Sequence, residues 1–158
     1  MSSTITHALT DSILAVIFAK VQPNQTTYIL AAVASASIVD LDHLVFIIRD
    51  REFYRNSGFN GNLHHARSAF HEVFGLLVVS ILSTLVYFWD QKLALIIFIA
   101  FTLHLVQDWL LGKSHPFTPL NNSKVQFLQL TLKQKAVIDL VLLTLSGALW
   151  LIYLFGHL

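Results

Sequence analysis

The sequence predicts an all-α membrane protein, a polytopic bundle of about five helices in which residues 1–158 form a single integral membrane domain. Three observations predict it. Hydrophobic residues make up 55% of the 158 and charged residues only 12%, against about 25% charged in an ordinary water-soluble domain. The mean hydropathy is +0.65. The apolar residues gather into five stretches with short or Gly/Asn-rich connections, and the ionisable residues collect at one end of those stretches. Net charge is +1, so no basic field marks a nucleic-acid surface, and nucleic acid is not expected as a partner. The chain has no cysteine. Disulfides and thiolate ligands are thereby excluded, and any metal must be held by imidazole and carboxylate.

The first span covers residues 5–21, roughly 25 Å of helix and just enough to cross a bilayer. Its first half is polar, with Thr6, His7, Thr10, Asp11 and Ser12, so a re-entrant helix is the alternative. No Lys or Arg precedes it, which argues against a cleaved signal peptide. Gln22-Pro23-Asn24-Gln25 makes a turn. The second span starts at Thr26, stays apolar to Val39, meets Asp40-Leu41-Asp42-His43 and runs on to Ile48. Its small residues from Ala32 to Ser37 suit close helix packing. Residues 49–67 are a polar loop. The third span covers 68–89, Asp90-Gln91 is a turn, and the fourth covers 92–111. Residues 112–131 form a second long loop containing Pro116 and Pro119, and the fifth span covers 135–155.

Charge sets the expected orientation. Arg49, Arg51, Arg55, Arg67, Lys113, Lys124, Lys133 and Lys135 fall on the side of the N-terminus and the two long loops; only Lys20 and Lys92 fall opposite. The positive-inside rule makes the charged side cytoplasmic. Tyr28, Tyr87, Trp89, Trp150 and Tyr153 cap the far ends as an aromatic belt would.

On that charged side the chemistry-bearing residues converge. His104 and Asp108 are four apart, on one helical face, and His7 and Asp11 repeat the spacing. Asp40 and His43 are three apart. Any one such pair is explained equally well as a hydrogen-bonded polar couple between helices. Four helices presenting such groups at one depth point instead to a metal centre. The candidate ligands are His7, Asp40, Asp42, His71, His104 and Asp108, together with His65 or its neighbour His64, since adjacent side chains diverge. His43 and Asp139 suit a supporting role. Glu72 is a candidate general base, or a helix N-terminal charge. Arg67, with Lys113, suits an anionic substrate group, and His115 is a ligand, a proton donor or a solvent-exposed residue. His157 lies at the opposite end.

The run Ser37-Ile38-Val39-Asp40-Leu41-Asp42-His43, then Arg67-Ser68-Ala69-Phe70-His71, His104-Leu105-Val106-Gln107-Asp108 and His115-Pro116-Phe117 resembles the bacterial inner-membrane family of LexA-regulated, metal-dependent hydrolases. The resemblance covers His7 to Phe117. Val39 stands at a usual proline, and Ala66 where a histidine would precede Arg67. That family is similar in turn to zinc-dependent phospholipases C and single-strand nucleases, all-helical enzymes with a His-x-x-x-Asp zinc pair.

The resemblance implies phospholipase C-like metal-site helices and hydrolysis of a phosphoester, with zinc as the divalent metal and manganese, iron or magnesium as alternatives. A metal would acidify water for attack on phosphorus or a carbonyl carbon, and a phospholipid is the natural substrate at that depth. Two rival readings are a metal or proton transporter, whose ligands usually sit near the midplane, and a scaffold with a closed structural site.

Overall fold

The computed structural model describes residues 4–41, 48, 68–112, 114–118, 120–121 and 123–156. Among these, five α-helices carry the fold and there is no strand beyond one isolated bridge, Ser114 to Val125. The helices are α1 (Thr4–Phe18), α2 (Thr26–Ser37), α3 (Val73–Tyr87), α4 (Gln91–Leu111) and α5 (Leu132–Leu154). Two 3-10 turns, Ile38–Asp40 and Ala69–His71, extend α2 and precede α3.

α4 and α5, at 21 and 23 residues, are the two described helices long and apolar enough to cross a membrane. At 1.5 Å per residue they reach roughly 32 and 35 Å, past a hydrocarbon core of about 30 Å. α1, α2 and α3 are shorter apolar helices. α1 stops at Phe18, three residues before the expected end, because Lys20 takes a left-handed conformation (φ 51°) and the Val21 amide closes back onto the Val16 carbonyl.

α4 is the hub, packing against α1, α2 and α3, while α5 packs on α1. Small residues let the backbones approach closely: Ala15, Ala32, Ala36 and Ala100 are fully buried, interleaved with Ile13, Val16 and Ile96. The small-residue run of α2 is thus a packing surface. A second cluster of Val39, Val79, Phe101 and Leu105 joins α3 and α4 to the turn after α2.

Polar bonds pin the ends. Asp90 caps α4, accepting from the Leu93 amide at 2.9 Å, and its other oxygen accepts from the Tyr28 hydroxyl at 2.8 Å. Lys92 donates to Gln25 at 3.2 Å and lies over the Tyr28 ring. α5 is tied to α1 and the turn after it: Trp150 Nε1 donates to the Leu9 carbonyl at 3.0 Å, and the Tyr153 hydroxyl to the Val21 carbonyl at 3.1 Å. α5 begins at Leu132, earlier than hydropathy alone predicts, because Thr131 and Gln134 form a capping box.

The third span departs from its expected start. Residues 69–71 wind as a 3-10 turn, with the Ser68 hydroxyl accepting from the Phe70 amide. The helix proper starts at Val73, with Glu72 as N-cap residue in an extended conformation. Gly75 makes this junction possible, since a Cβ there would overlap the carbonyl group of Phe70. The turn therefore folds tightly onto the first coil of α3, and His71 points inward from it rather than from a helix face.

A buried His and Asp cluster as candidate metal centre

Four pieces of this frame deliver the six site residues. α1 contributes His7 and Asp11 from one face, one turn apart; α4 contributes His104 and Asp108 in the same way. Asp40 comes from the turn that ends α2, and His71 from the turn before α3. All six are buried, His71 and His104 at 0% exposure and Asp40, the most accessible, at 7%. Placing this many ionisable groups in an apolar interior is costly unless each charge is matched.

The nitrogens divide into two sets. On the outer side, His104 Nδ1 lies 2.8 Å from the Ala36 carbonyl oxygen. A carbonyl only accepts, so Nδ1 carries the proton and donates. His7 Nδ1 faces Asp11 Oδ2 at 3.2 Å. On the inner side, the Nε2 atoms converge on two carboxylates. His7 Nε2 is 3.4 Å from Asp108 Oδ1. His71 Nε2 is 3.6 Å from Asp40 Oδ1 and 4.0 Å from Asp108 Oδ2. His104 Nε2 is 3.4 Å from Asp40 Oδ1. The His7 and His104 rings stack with centroids 4.1 Å apart.

This division decides what the cluster can hold. With Nδ1 donating to Ala36, the His104 atom turned inward is Nε2, which has no hydrogen-bond partner among the described residues. Nε2 faces the Asp40 carboxylate oxygen at 3.4 Å, a contact that either a proton or a metal cation between the two would make favourable. The donors of Asp40, His71 and His104 lie within 4.8 Å of one another, as a metal requires. His7, Asp11 and His104 also have donors that close, but the His104 nitrogen nearest Asp11 is the committed Nδ1, 3.8 Å away. Asp11 therefore reads better as the group that orients His7, the usual supporting carboxylate of a ligating histidine. The buried His and Asp groups fit a divalent ion; imidazole and carboxylate together suit zinc, iron or manganese.

Of the candidates from sequence, the structure brings His7, Asp40, His71, His104 and Asp108 together. Asp42, His43, His64, His65, Arg67 and Lys113 lie outside the described residues. Glu72 is buried at the edge of the cluster, and its Oε1 accepts from the His115 backbone N–H at 2.7 Å. This bond draws the loop after α4 against the turn bearing His71. Asp139 is half-buried on α5.

Two partners escaped the ligand ranking. Asp11 was visible through its four-residue spacing from His7 but was not ranked with the ligands. The Ala36 carbonyl carries no sequence signal. Trp109 adds support, its Nε1 donating to the His71 carbonyl at 3.3 Å.

Fold and site together define a helical membrane protein built around a buried His and Asp cluster able to hold a metal. The chain belongs to the YdjM inner membrane protein family, whose model matches residues 1–157. No curated protein matches the chain. No solved structure matches it either.

Proposed function

We propose that the protein is a membrane-embedded, metal-dependent hydrolase of phosphoester bonds, acting on a lipid or membrane-proximal substrate. The observation that carries this reading is the convergence of three histidine Nε2 atoms on Asp40 and Asp108, with the Nδ1 atoms of His7 and His104 occupied elsewhere. His7, Asp40, His71, His104 and Asp108 would hold the ion, joined by Asp42 and by His65 or His64 from the adjoining segments. A divalent metal there would polarise a phosphoryl oxygen and acidify water.

The protein's own groups do the rest. Asp11 and the Ala36 carbonyl fix the His7 and His104 rings. Glu72 accepts from the His115 backbone amide and so ties the loop after α4 to the turn bearing His71; the His115 side chain would serve as proton donor to a leaving group. Arg67 would neutralise charge on the transferred group. The charge bias of the loops supports a multi-pass bundle with the N-terminus and the centre on the cytoplasmic side. Zinc is the favoured ion.

The test is elemental analysis of the purified full-length protein, followed by assay of the metal-loaded form on a phospholipid panel. At least one divalent ion per chain is expected, lost in His104→Ala and Asp108→Ala together with turnover. Transition metal near zero in the wild-type protein overturns the metal centre. Bound metal with no turnover, and with both variants leaving the cellular phenotype intact, overturns the enzyme.

A further inference from the structure

A groove of about 370 Å³ runs between α1, α4 and α5, at the lower end of the roughly 300–1,000 Å³ usual for small-molecule sites. Its walls include Leu14, Leu103, Leu110, Ile138 and Leu142, and it extends along α4 from Leu103 to Leu111, about 12 Å of helix. At its inner side lies Asp11, the carboxylate that holds His7. Thr10 and Gln107, neighbours in sequence of Asp11 and Asp108, also line it. Neither the Thr10 hydroxyl nor the Gln107 amide has a hydrogen-bond partner among the described residues.

The groove's setting identifies what fills it. Two of its three walls, α4 and α5, are the helices long and apolar enough to span a bilayer, and only 17% of the apolar window of α5 is buried. Val106 and Leu110 of its lining, and Leu140 and Leu145 elsewhere on α5, are exposed and would meet hydrocarbon in a membrane.

A second groove, about 580 Å³ between α3 and α4, provides an internal contrast. It is lined by Ser83, Tyr87, Leu95 and Phe98 among others, with no carboxylate or imidazole. Of these two grooves, only the first has a residue of the His and Asp cluster, Asp11, in its lining.

We propose that the α1–α4–α5 groove binds one acyl chain of a membrane phospholipid, lying along α4 with its ester end toward Thr10, Gln107 and the buried centre. The Gln107 amide, buried in the groove wall without a hydrogen-bond partner among the described residues, would turn outward to offer a donor and an acceptor to the ester and glycerol oxygens. This deepens the hydrolase reading, on which it rests for the bond to be cleaved: the substrate class is a diacyl phospholipid rather than a water-soluble phosphoester.

The experiment uses the full-length protein in phospholipid nanodiscs containing a phospholipid with a diazirine on one acyl chain. Cross-links are mapped by mass spectrometry after illumination. Labelling is expected to favour α1, α4 and α5 groove residues over the α3–α4 groove at least several-fold. Leu142→Trp, or Ile138→Trp at the rim should the first fail to fold, fills the groove and cuts that labelling several-fold; Leu95→Trp in the other groove leaves it unchanged. His104→Ala keeps the labelling, which separates the groove from the chemistry. Equal labelling of both grooves, or labelling that survives Leu142→Trp in a protein with an intact melting transition, overturns the acyl site, even where a soluble phosphodiester is still turned over. Concentrated labelling with no turnover of any phosphoester upholds the acyl site and sinks the hydrolase reading instead.

Discussion

At the scale of single residues, two side chains carry sharper consequences than their chemistry alone suggests. Asp11 faces His7 Nδ1 from outside the convergent set. Asp11→Asn should therefore weaken metal affinity by about 10–100-fold, the usual effect of losing a supporting carboxylate, without abolishing binding as His104→Ala does. Competition titration with a chelator of known affinity separates the two outcomes. Gly75 is the steric counterpart. Gly75→Ala drives a methyl into the Phe70 carbonyl and should cost about 1–3 kcal/mol, typical of overpacking. It should also lower metal occupancy, because Phe70 adjoins His71. Gly147→Ala, with open space around its Cβ, should show neither loss, and thermal melts of the two variants in one detergent make the comparison. The His104 and Asp108 pair was legible from spacing alone, because i and i+4 must share a face. Gly75 was not, since its necessity arises from a turn that no periodicity announces.

At the scale of elements, the caps explain where sequence reading held and where it slipped. α4 runs from Gln91 to Leu111, one residue from expectation, because Asp90 is a strong N-cap at a recognisable turn. The third span was expected from residue 68, but α3 begins at Val73; apolar composition continues through a 3-10 turn that hydropathy cannot distinguish from helix. Asp90 itself is testable. The Leu93 amide, then the Tyr28 hydroxyl, hold its carboxyl below the ordinary carboxylate range. A depressed folded-state pKa gives stabilisation that is present above the unfolded value of about 3.9. It is lost as pH falls through the lower folded value. Asp90→Ala should cost about 1 kcal/mol at neutral pH, and the gap from wild type should narrow as the melt is repeated below about pH 4.

At the scale of the molecule, hydropathy predicted five apolar segments, and five helices carry the described fold. Two of them have the length and composition to cross a membrane. The relative placement of the helices was not legible, because any face of an apolar helix can pack on any other in lipid. Ala15, Ala32, Ala36 and Ala100 made the choice by allowing closest approach around α4. Orientation is a prediction at this scale. The chain lacks cysteine, so single cysteines can report sidedness directly. Ser123→Cys in the loop after α4 should react with an impermeant maleimide only when the cytoplasmic face is open, and Asn24→Cys in the turn between α1 and α2 only from the opposite face. Labelling of both positions from one side would reject the five-span topology.

The buried centre also constrains how the protein is made. Its ligands span residues 7 to 108 in the chain and come from four separate elements. While the ribosome has delivered only α1 to α3, His7, Asp11, Asp40 and His71 have no His104 or Asp108 to meet. α4 supplies the missing pair. If the centre holds a metal as proposed, metal supply would act as a quality-control signal. In a metal-starved cell, newly made chains would retain uncompensated carboxylates in their cores and be removed by membrane proteases. A pulse-chase with and without chelator should show their half-life shortening, and Asp108→Ala chains should turn over quickly in either condition.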